Sequence, residues 1–227
     1  MKIVAIIPSG GIGSRILSSI PKQYVKVLGK ELIAYTLQVF QKSNLIDEII
    51  VPAQPFYFDL LNIIKEKYNL DKVVKIIEGG KKRQESVFNG LKYLTLNDED
   101  LVIVHDAARP LLSQELLEKS VNEAKKYDSI VVAKKASDTL IKGDEIVDEY
   151  LDRSNIYYAQ TPQIFRYKIL LEAFKLANES KFLGTDESML VKNANFDVRI
   201  IEGETTNFKV TTQSDLEFLE HILGNSL

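Results

Sequence analysis

The 227-residue chain has no cysteine and no tryptophan. Without thiols there is no disulfide, no thiolate metal site and no cysteine nucleophile. Histidine is scarce too, with only His105 and His221. A zinc site or a His-based triad therefore has little to be built from. Neither sign of charge dominates: 29 Lys and Arg stand against 32 Asp and Glu, a net charge of −3. That balance gives no broad polyanion-binding surface, and nucleic acid is not an expected partner. No apolar run reaches the length of a membrane span, and the start lacks a signal peptide's cleavage pattern. The expectation is a cytoplasmic protein with no membrane partner.

What is present is an ordinary globular composition, 45% apolar and 27% charged. The most informative stretch is the start. Ile3 to Ile7 is a short apolar run with β-branched residues, which reads as a buried strand of a parallel sheet. It runs into Pro8-Ser9-Gly10-Gly11-Ile12-Gly13-Ser14-Arg15, with Pro21-Lys22-Gln23-Tyr24 close behind. Glycines let a ligand approach the main chain, and successive N–H groups can turn toward one anion. Arg15 and Lys22 add two cations. A Walker A loop is excluded, because no Gly-Lys follows at the required spacing. A dinucleotide fingerprint is excluded too: Gly11 and Gly13 are followed by Ile16 where a third glycine belongs. A strand, a glycine loop and two cations suit a polyphosphate.

Downstream, apolar periodicity alternates between two periods. Helices are expected over Glu31–Lys42, Phe58–Tyr68, Arg83–Leu96, Leu112–Lys126, Tyr167–Asn178, Glu187–Lys192 and Ser214–Leu223. Strands are expected over Glu48–Val51, Val73–Ile77, Leu101–Val104, Ser129–Ala133 and Val198–Ile201. Thr212 or Ser214 should cap the last helix. The implied fold is α/β: a Rossmann-like, mostly parallel sheet with helices on both faces. The rhythm breaks between Lys134 and Gln163. There Thr139–Lys142, a Gly143-Asp144 turn and Glu145–Val147 read as a projecting β-hairpin. So thin a hairpin needs something to pack on, and a second subunit is the simplest partner. With no repeat or linker, residues 1–227 read as a single domain with a dimerisation arm at about 134–160.

Ligands of open α/β sheets bind beyond the carboxyl ends of the strands. Those ends carry the glycine loop, then Gly79, Gly80, Lys81, Lys82, Arg83 and Ser86, then His105-Asp106-Ala107-Ala108-Arg109-Pro110, and later Lys209. Taken singly, Lys81 to Arg83 is a solvated helix start, Asp106 a cap and Lys209 a surface lysine; their common edge argues for a site. Cations and glycines converge on one edge, with a single carboxylate, Asp106. With no Cys, triad or carboxylate pair, the set suits a reaction whose nucleophile is already an anion. Attack of a phosphate monoester on the α-phosphorus of a nucleoside triphosphate needs only positioning and charge neutralisation.

These motifs, with Asp152-Arg153, Thr161-Pro162-Gln163, Thr185-Asp186-Glu187 and Lys209-Val210-Thr211, run in order along the whole chain. Together they resemble the 2-C-methyl-D-erythritol 4-phosphate cytidylyltransferases of the non-mevalonate isoprenoid pathway. The resemblance implies CTP and methylerythritol phosphate as substrates, Mg²⁺ or another divalent cation as cofactor, and a homodimer. It implies that Arg15 and Lys22 stabilise the pentavalent α-phosphate. It implies a cytidine pocket from Pro8, Ser9, Gly10, Gly11, Gly13, Gly80, Arg83 and Ser86. Asp106, Arg109, Thr139, Arg153 and Lys209 would hold the acceptor, Thr139 and Arg153 from the partner's arm. Arg153 and Lys209 would align the attacking phosphate, and Asp106 is offered as a metal ligand.

The chain departs from the family's pattern twice. Ser9 and Gly10 stand where alanines are usual, and Lys81 where Asp is common. Among competing readings, ribitol-5-phosphate cytidylyltransferases tend toward His-Asp-Ser-Val-Arg-Pro, which Ala107-Ala108 disfavours. A sugar-nucleotide glycosyltransferase would want Asp-x-Asp at a strand's carboxyl end, yet Asp98-Glu99-Asp100 precedes its strand. A CTP-sensing module would have no need of a second phosphate site.

Overall fold

The computed structural model describes residues 1–11 and 20–225. Its frame is a seven-stranded sheet in the order β11-β7-β10-β6-β1-β4-β5. The strands are β1 (Ile3–Ile6), β4 (Glu48–Ala53), β5 (Val73–Glu78), β6 (Leu101–Val104), β7 (Ser129–Lys135), β10 (Tyr157–Arg166) and β11 (Arg199–Glu202). The neighbours β6, β1, β4 and β5 pair in parallel, as do β7 and β11. Strand β10 alone runs antiparallel, between β6 and β7. The expected mostly parallel sheet is therefore present.

The reason lies in the apolar runs. All four residues of β1 and of β6 are buried. Successive side chains point to opposite faces of a strand, so such runs need cover on both sides. Ile3, Ala5, Ile49, Val51, Leu101 and Ile103 pack with α1 (Leu32–Lys42), α2 (Phe58–Lys67) and α4 (Gln114–Ala124). Val4, Ile6, Ile50, Val102 and Val104 pack with α3 (Arg83–Tyr93), α5 (Tyr167–Glu179) and α6 (Glu187–Asn193). The last helix, α7 (Gln213–Gly224), joins a smaller cluster through Leu216 and Leu219. Thr212 caps it in a reciprocal capping box with Asp215.

Three features depart from the sequence reading. Strand β10 begins inside the stretch read as the arm and runs past it, where no strand was expected. It contains Pro162, which cannot donate to a ladder, and the pairing with β7 shifts register between Ala159 and Gln163. The shift admits the proline. A small hairpin, β2 (Lys26–Val27) and β3 (Lys30–Glu31), was also not anticipated; it turns through Leu28 and Gly29, both at positive φ. The projecting hairpin itself is present, with a different second strand. It pairs β8 (Leu140–Gly143) with β9 (Val147–Leu151), so the turn spans Asp144 to Ile146.

Candidate active site

Because β1, β4, β5 and β6 are parallel, the segments after them meet at one edge. A cavity of about 270 Å³ opens there. Its wall includes Pro8, Ser9, Gly10, Gly11, Lys22, Gly80, Arg83, Ser86, Asp106 and Lys209. These are sequence-selected residues from five separate stretches, brought together by the fold. Gln23, Lys81, Lys82, Ala107, Ala108 and Thr211 complete the wall. Thr139 and Arg153 do not reach it: both are exposed on or beside the arm, and Arg153 donates to the Ser137 carbonyl. Gly13 and Arg15 lie outside the described residues.

Two glycine segments shape one end of the cavity. The segment after β5 folds back on the start of α3. There Ser86 Oγ accepts the Gly80 N–H at 3.0 Å and donates to the Lys82 carbonyl at 3.1 Å. A Cβ at Gly80 would collide with the Glu85 side chain, so the close approach requires glycine. A Cβ on Gly10 would stand 3.4 Å from the same Ser86 Oγ, so the two segments face each other across a narrow gap.

At the other end Asp106 is ringed by cations. Arg83 Nε donates to its Oδ1 at 3.0 Å; Lys209 Nζ and Arg109 Nε lie 3.0 and 3.3 Å from its Oδ2. Burial alone would raise the Asp106 pKa, but Arg83, Lys209 and Arg109 outweigh it and hold the carboxyl well below the usual range. Arg83 is shared with Glu187 of α6, whose two oxygens both accept from Nη1 at 2.8 Å. Burial pushes the Glu187 carboxyl up, against the pull of Arg83. For Arg83 burial acts downward, yet the Glu187 and Asp106 carboxylates carry the net shift upward. Arg109 is the buried member of the ring, 8% exposed, and also donates to the Asn207 carbonyl at 2.8 Å. It does not line the cavity.

A chain of hydrogen bonds fixes Asp106 from behind. The Asp106 N–H donates to Thr161 Oγ1 at 3.1 Å, and Thr161 Oγ1 lies 3.0 Å from His105 Nδ1. His105 Nε2 faces the Arg109 carbonyl at 3.1 Å. A carbonyl can only accept, so Nε2 carries the proton, Nδ1 accepts from Thr161, and the ring is neutral. Burial pulls the His105 pKa down to about 4, in line with that state.

Asp106, the expected metal ligand, has both of its oxygens held by cationic side chains here. Among the described residues no group of three or more His, Cys, Asp or Glu side chains is placed to hold a metal ion. The Asp98-Glu99-Asp100 stretch lies at the far edge, where Asp100 accepts the N–H of Lys2, at the start of β1. The sequence reading did not anticipate Glu187 as the partner of Arg83, nor the Thr161–His105 chain. Both motifs stood out in the sequence, but separations of 104 and 56 residues leave no pairing signal. No helix among the described residues is long and apolar enough to cross a membrane.

The chain matches the model of the IspD family, 2-C-methyl-D-erythritol 4-phosphate cytidylyltransferase, over residues 3–225. It is 41% identical to the protein of that name from Clostridioides difficile, covering 96% of this chain and 92% of the relative. Its likeness to the Geobacter metallireducens protein of the same name is 36%, over the full length of both. Among solved structures, the 4-diphosphocytidyl-2C-methyl-D-erythritol synthase of Anaerococcus prevotii superposes with a TM-score of 0.86 at 32% identity, covering 98% of each chain.

Proposed function

Because the chain belongs to the 2-C-methyl-D-erythritol 4-phosphate cytidylyltransferase family, we propose that CTP and the acceptor phosphate meet in the cavity at the carboxyl edge of the sheet. The protein transfers CMP from CTP to 2-C-methyl-D-erythritol 4-phosphate, giving 4-diphosphocytidyl-2-C-methyl-D-erythritol and pyrophosphate. The observation that carries the site assignment is the ring of Arg83, Arg109 and Lys209 around a buried, ionised Asp106, beside two glycine segments.

In this reading the cytidine end of CTP lies between the Pro8–Gly11 segment and Gly80 to Ser86, and Gly13 contributes to the nucleotide site. Lys22, whose Nζ donates to the Val210 carbonyl at 2.6 Å, turns to the α-phosphate, a role it shares with Arg15. A fixed cation aimed at charge that grows in the pentavalent transition state counts for more there than in the ground state. Lys81, which also lines the cavity, adds positive charge near the nucleotide. The acceptor's phosphate monoester is the nucleophile. One of its oxygens attacks the α-phosphorus as the bond to pyrophosphate breaks, so no general base is required.

The acceptor lies against Asp106 and Lys209. Asp106 keeps three cations in register without neutralising them all, which leaves net positive charge for two phosphorylated substrates. Arg109 acts as the buried member of that ring. Thr139 and Arg153 come from the arm of a second subunit. The arm's exposed Ile141, Ile146, Val147, Tyr150 and Leu151 support this, since apolar side chains on a thin hairpin call for a partner surface. The unit is thus one nucleotidyltransferase domain over 1–227, paired through residues 134–160. Among the described residues no cluster of carboxylates is set to hold a divalent cation alone, so a cation would enter with the triphosphate, where it would supply charge neutralisation beside Lys22. CTP is an intracellular nucleotide, which supports a cytoplasmic location.

The test is pyrophosphate release by the purified protein with CTP and a panel of polyol phosphates. Release should require CTP, exceed that with ATP or GTP, and be fastest with methylerythritol phosphate. Equal rates with ribitol 5-phosphate would overturn the acceptor assignment.

A further inference from the structure

Every carbonyl of Ser9-Gly10-Gly11, after β1, accepts a hydrogen bond from a glutamine side chain. Gln23 Nε2 donates to the Ser9 carbonyl at 2.6 Å and to the Gly11 carbonyl at 3.0 Å. Gln54, on the segment after β4, donates from Nε2 to the Gly10 carbonyl at 2.9 Å. Tyr24 Oη lies 3.2 Å from the Ser9 carbonyl and 2.8 Å from Ser9 Oγ. The Ser9, Gly10 and Gly11 carbonyls can only accept, so each glutamine presents its nitrogen to them. Gln23 spends both of its amide hydrogens on this one loop.

This matters because of what a peptide plane does when it turns over. A plane flanked by glycine meets little steric resistance, and a turn exchanges the N–H for the C=O on the ligand side. An N–H facing a phosphate attracts it; a C=O facing the same phosphate repels it. From these contacts we propose that Gln23 and Gln54 are positioning residues for catalysis: they fix the peptide planes that follow Ser9 and Gly10, so that the Gly10 and Gly11 amides serve the triphosphate, while the Ser9 N–H is held by the Pro52 carbonyl at 2.7 Å. Gln23 is buried with Tyr24, which stacks on Tyr57 with ring centroids 4.5 Å apart. The brace therefore stands on the core and not on the loop. Ser9, where alanine is usual, adds its hydroxyl to Tyr24.

This inference rests on the reading of the cavity as the CTP site. It makes a specific demand: loss of the brace should matter in proportion to the ligand's phosphate charge. Gln23→Met keeps the length of the side chain and removes both donors. Its affinity for CTP, by calorimetric titration, should fall about tenfold, the scale of a buried carbonyl turned loose. Its affinity for CMP should fall by less than about threefold. KM for methylerythritol phosphate should not move. Gln54→Met, at a less buried position, should show the same pattern with a smaller loss. It serves as the test if Gln23→Met melts too low to measure. Equal losses for CTP and CMP, or CTP affinity at the wild-type level in both variants, would overturn the proposal. A wild-type protein that binds CTP no better than CMP would instead overturn the reading of the cavity.

Discussion

Around the cavity, Ser9, Gln23, Ser86 and Asp106 are at most 7% exposed, and each is hydrogen-bonded on more than one side. On the arm, Ile146 is 81% and Tyr150 73% exposed, and β9 is exposed throughout. One region is fixed by its own chain before any ligand arrives; the other presents a surface without the cover it needs. In the proposed mechanism both serve one reaction. The difference then divides the labour: the chain itself orders the groups that bear on CTP, and assembly supplies the groups that align the acceptor. Preorganised charge is effective because little reorganisation remains at the moment of reaction.

The largest effect should come from the fixed region. Lys22→Ala should lower kcat by roughly 10²- to 10³-fold, the range for loss of one donor aimed at transition-state charge. CTP affinity should stay within a few-fold of wild type. Steady-state kinetics with direct binding of CTP checks this, and near wild-type turnover would remove Lys22 from the mechanism. The arm should behave differently. Arg153→Ala should raise KM for methylerythritol phosphate by roughly 10- to 100-fold, because a guanidinium pairs with a phosphate in a way no water replaces. KM for CTP should hardly change. The comparison sharpens when the two variants are mixed under subunit exchange. A mixed dimer has one doubly damaged site and one intact site, so up to about half of normal activity should return in it. Verified exchange with no recovery would place Arg153 in its own subunit's site.

A third effect probes the packing behind Asp106. His105 is neutral in the fold, with its pKa drawn down to about 4, against an ordinary value of 6.5. As pH falls from 6.5 toward 4 the unfolded chain gains a proton that the folded chain does not. Stability is therefore full above the unfolded value and declines as the solution is acidified. By linkage the loss reaches about 1.4 kcal/mol at pH 5.5. Asp106 does not contribute in that window, because its carboxyl is ionised in both states there and its lowered pKa acts only at more acid pH. Urea unfolding at pH 7.5 and 5.5 should show the decline in wild type and a flatter response in His105→Gln. Parallel slopes would mean the ring carries a proton in the fold.

How far the sequence reveals this molecule depends on what each stretch is in contact with. Strands such as Leu101–Val104 are legible because burial on both faces demands an unbroken apolar run, and every residue there is buried. Strand β10 is not, since Gln160, Thr161, Pro162 and Gln163 break any apolar pattern while serving other needs. Thr161 bonds His105, Gln160 the Glu204 carbonyl, and Gln163 Asp186. The same logic separates the site residues. Glycines and cations after parallel strands are readable as a group, because topology alone brings them together. That Arg109 would be the buried member of the ring is not, because its motif does not show which side chain faces solvent. Nor could the motif containing Gln23 show that its amide would serve the carbonyls of Ser9 and Gly11.

The smallest effect should come from Ser9, the residue that departs from the family's usual alanine. Ser9→Ala removes a buried hydroxyl 2.8 Å from Tyr24 Oη. Tyr24 keeps a partner after the change, because its hydroxyl still lies 3.2 Å from the Ser9 carbonyl. Burial pushes the Tyr24 pKa up to about 12, so that hydroxyl remains a donor at any working pH. No buried donor is orphaned, and only the net value of one hydrogen bond is lost, about 0.5–1 kcal/mol of stability. CTP affinity should stay within about twofold of wild type, since Gln23 still holds the same carbonyl. Tyr24→Phe should cost more, because it leaves the Ser9 hydroxyl buried beside a ring edge and removes a donor to the loop. Thermal melts with CTP titrations separate the two. If Ser9→Ala proved the more damaging, the Ser9 hydroxyl would be serving the nucleotide and not the brace, and the fixed region would owe less to its own chain than the contrast with the arm implies.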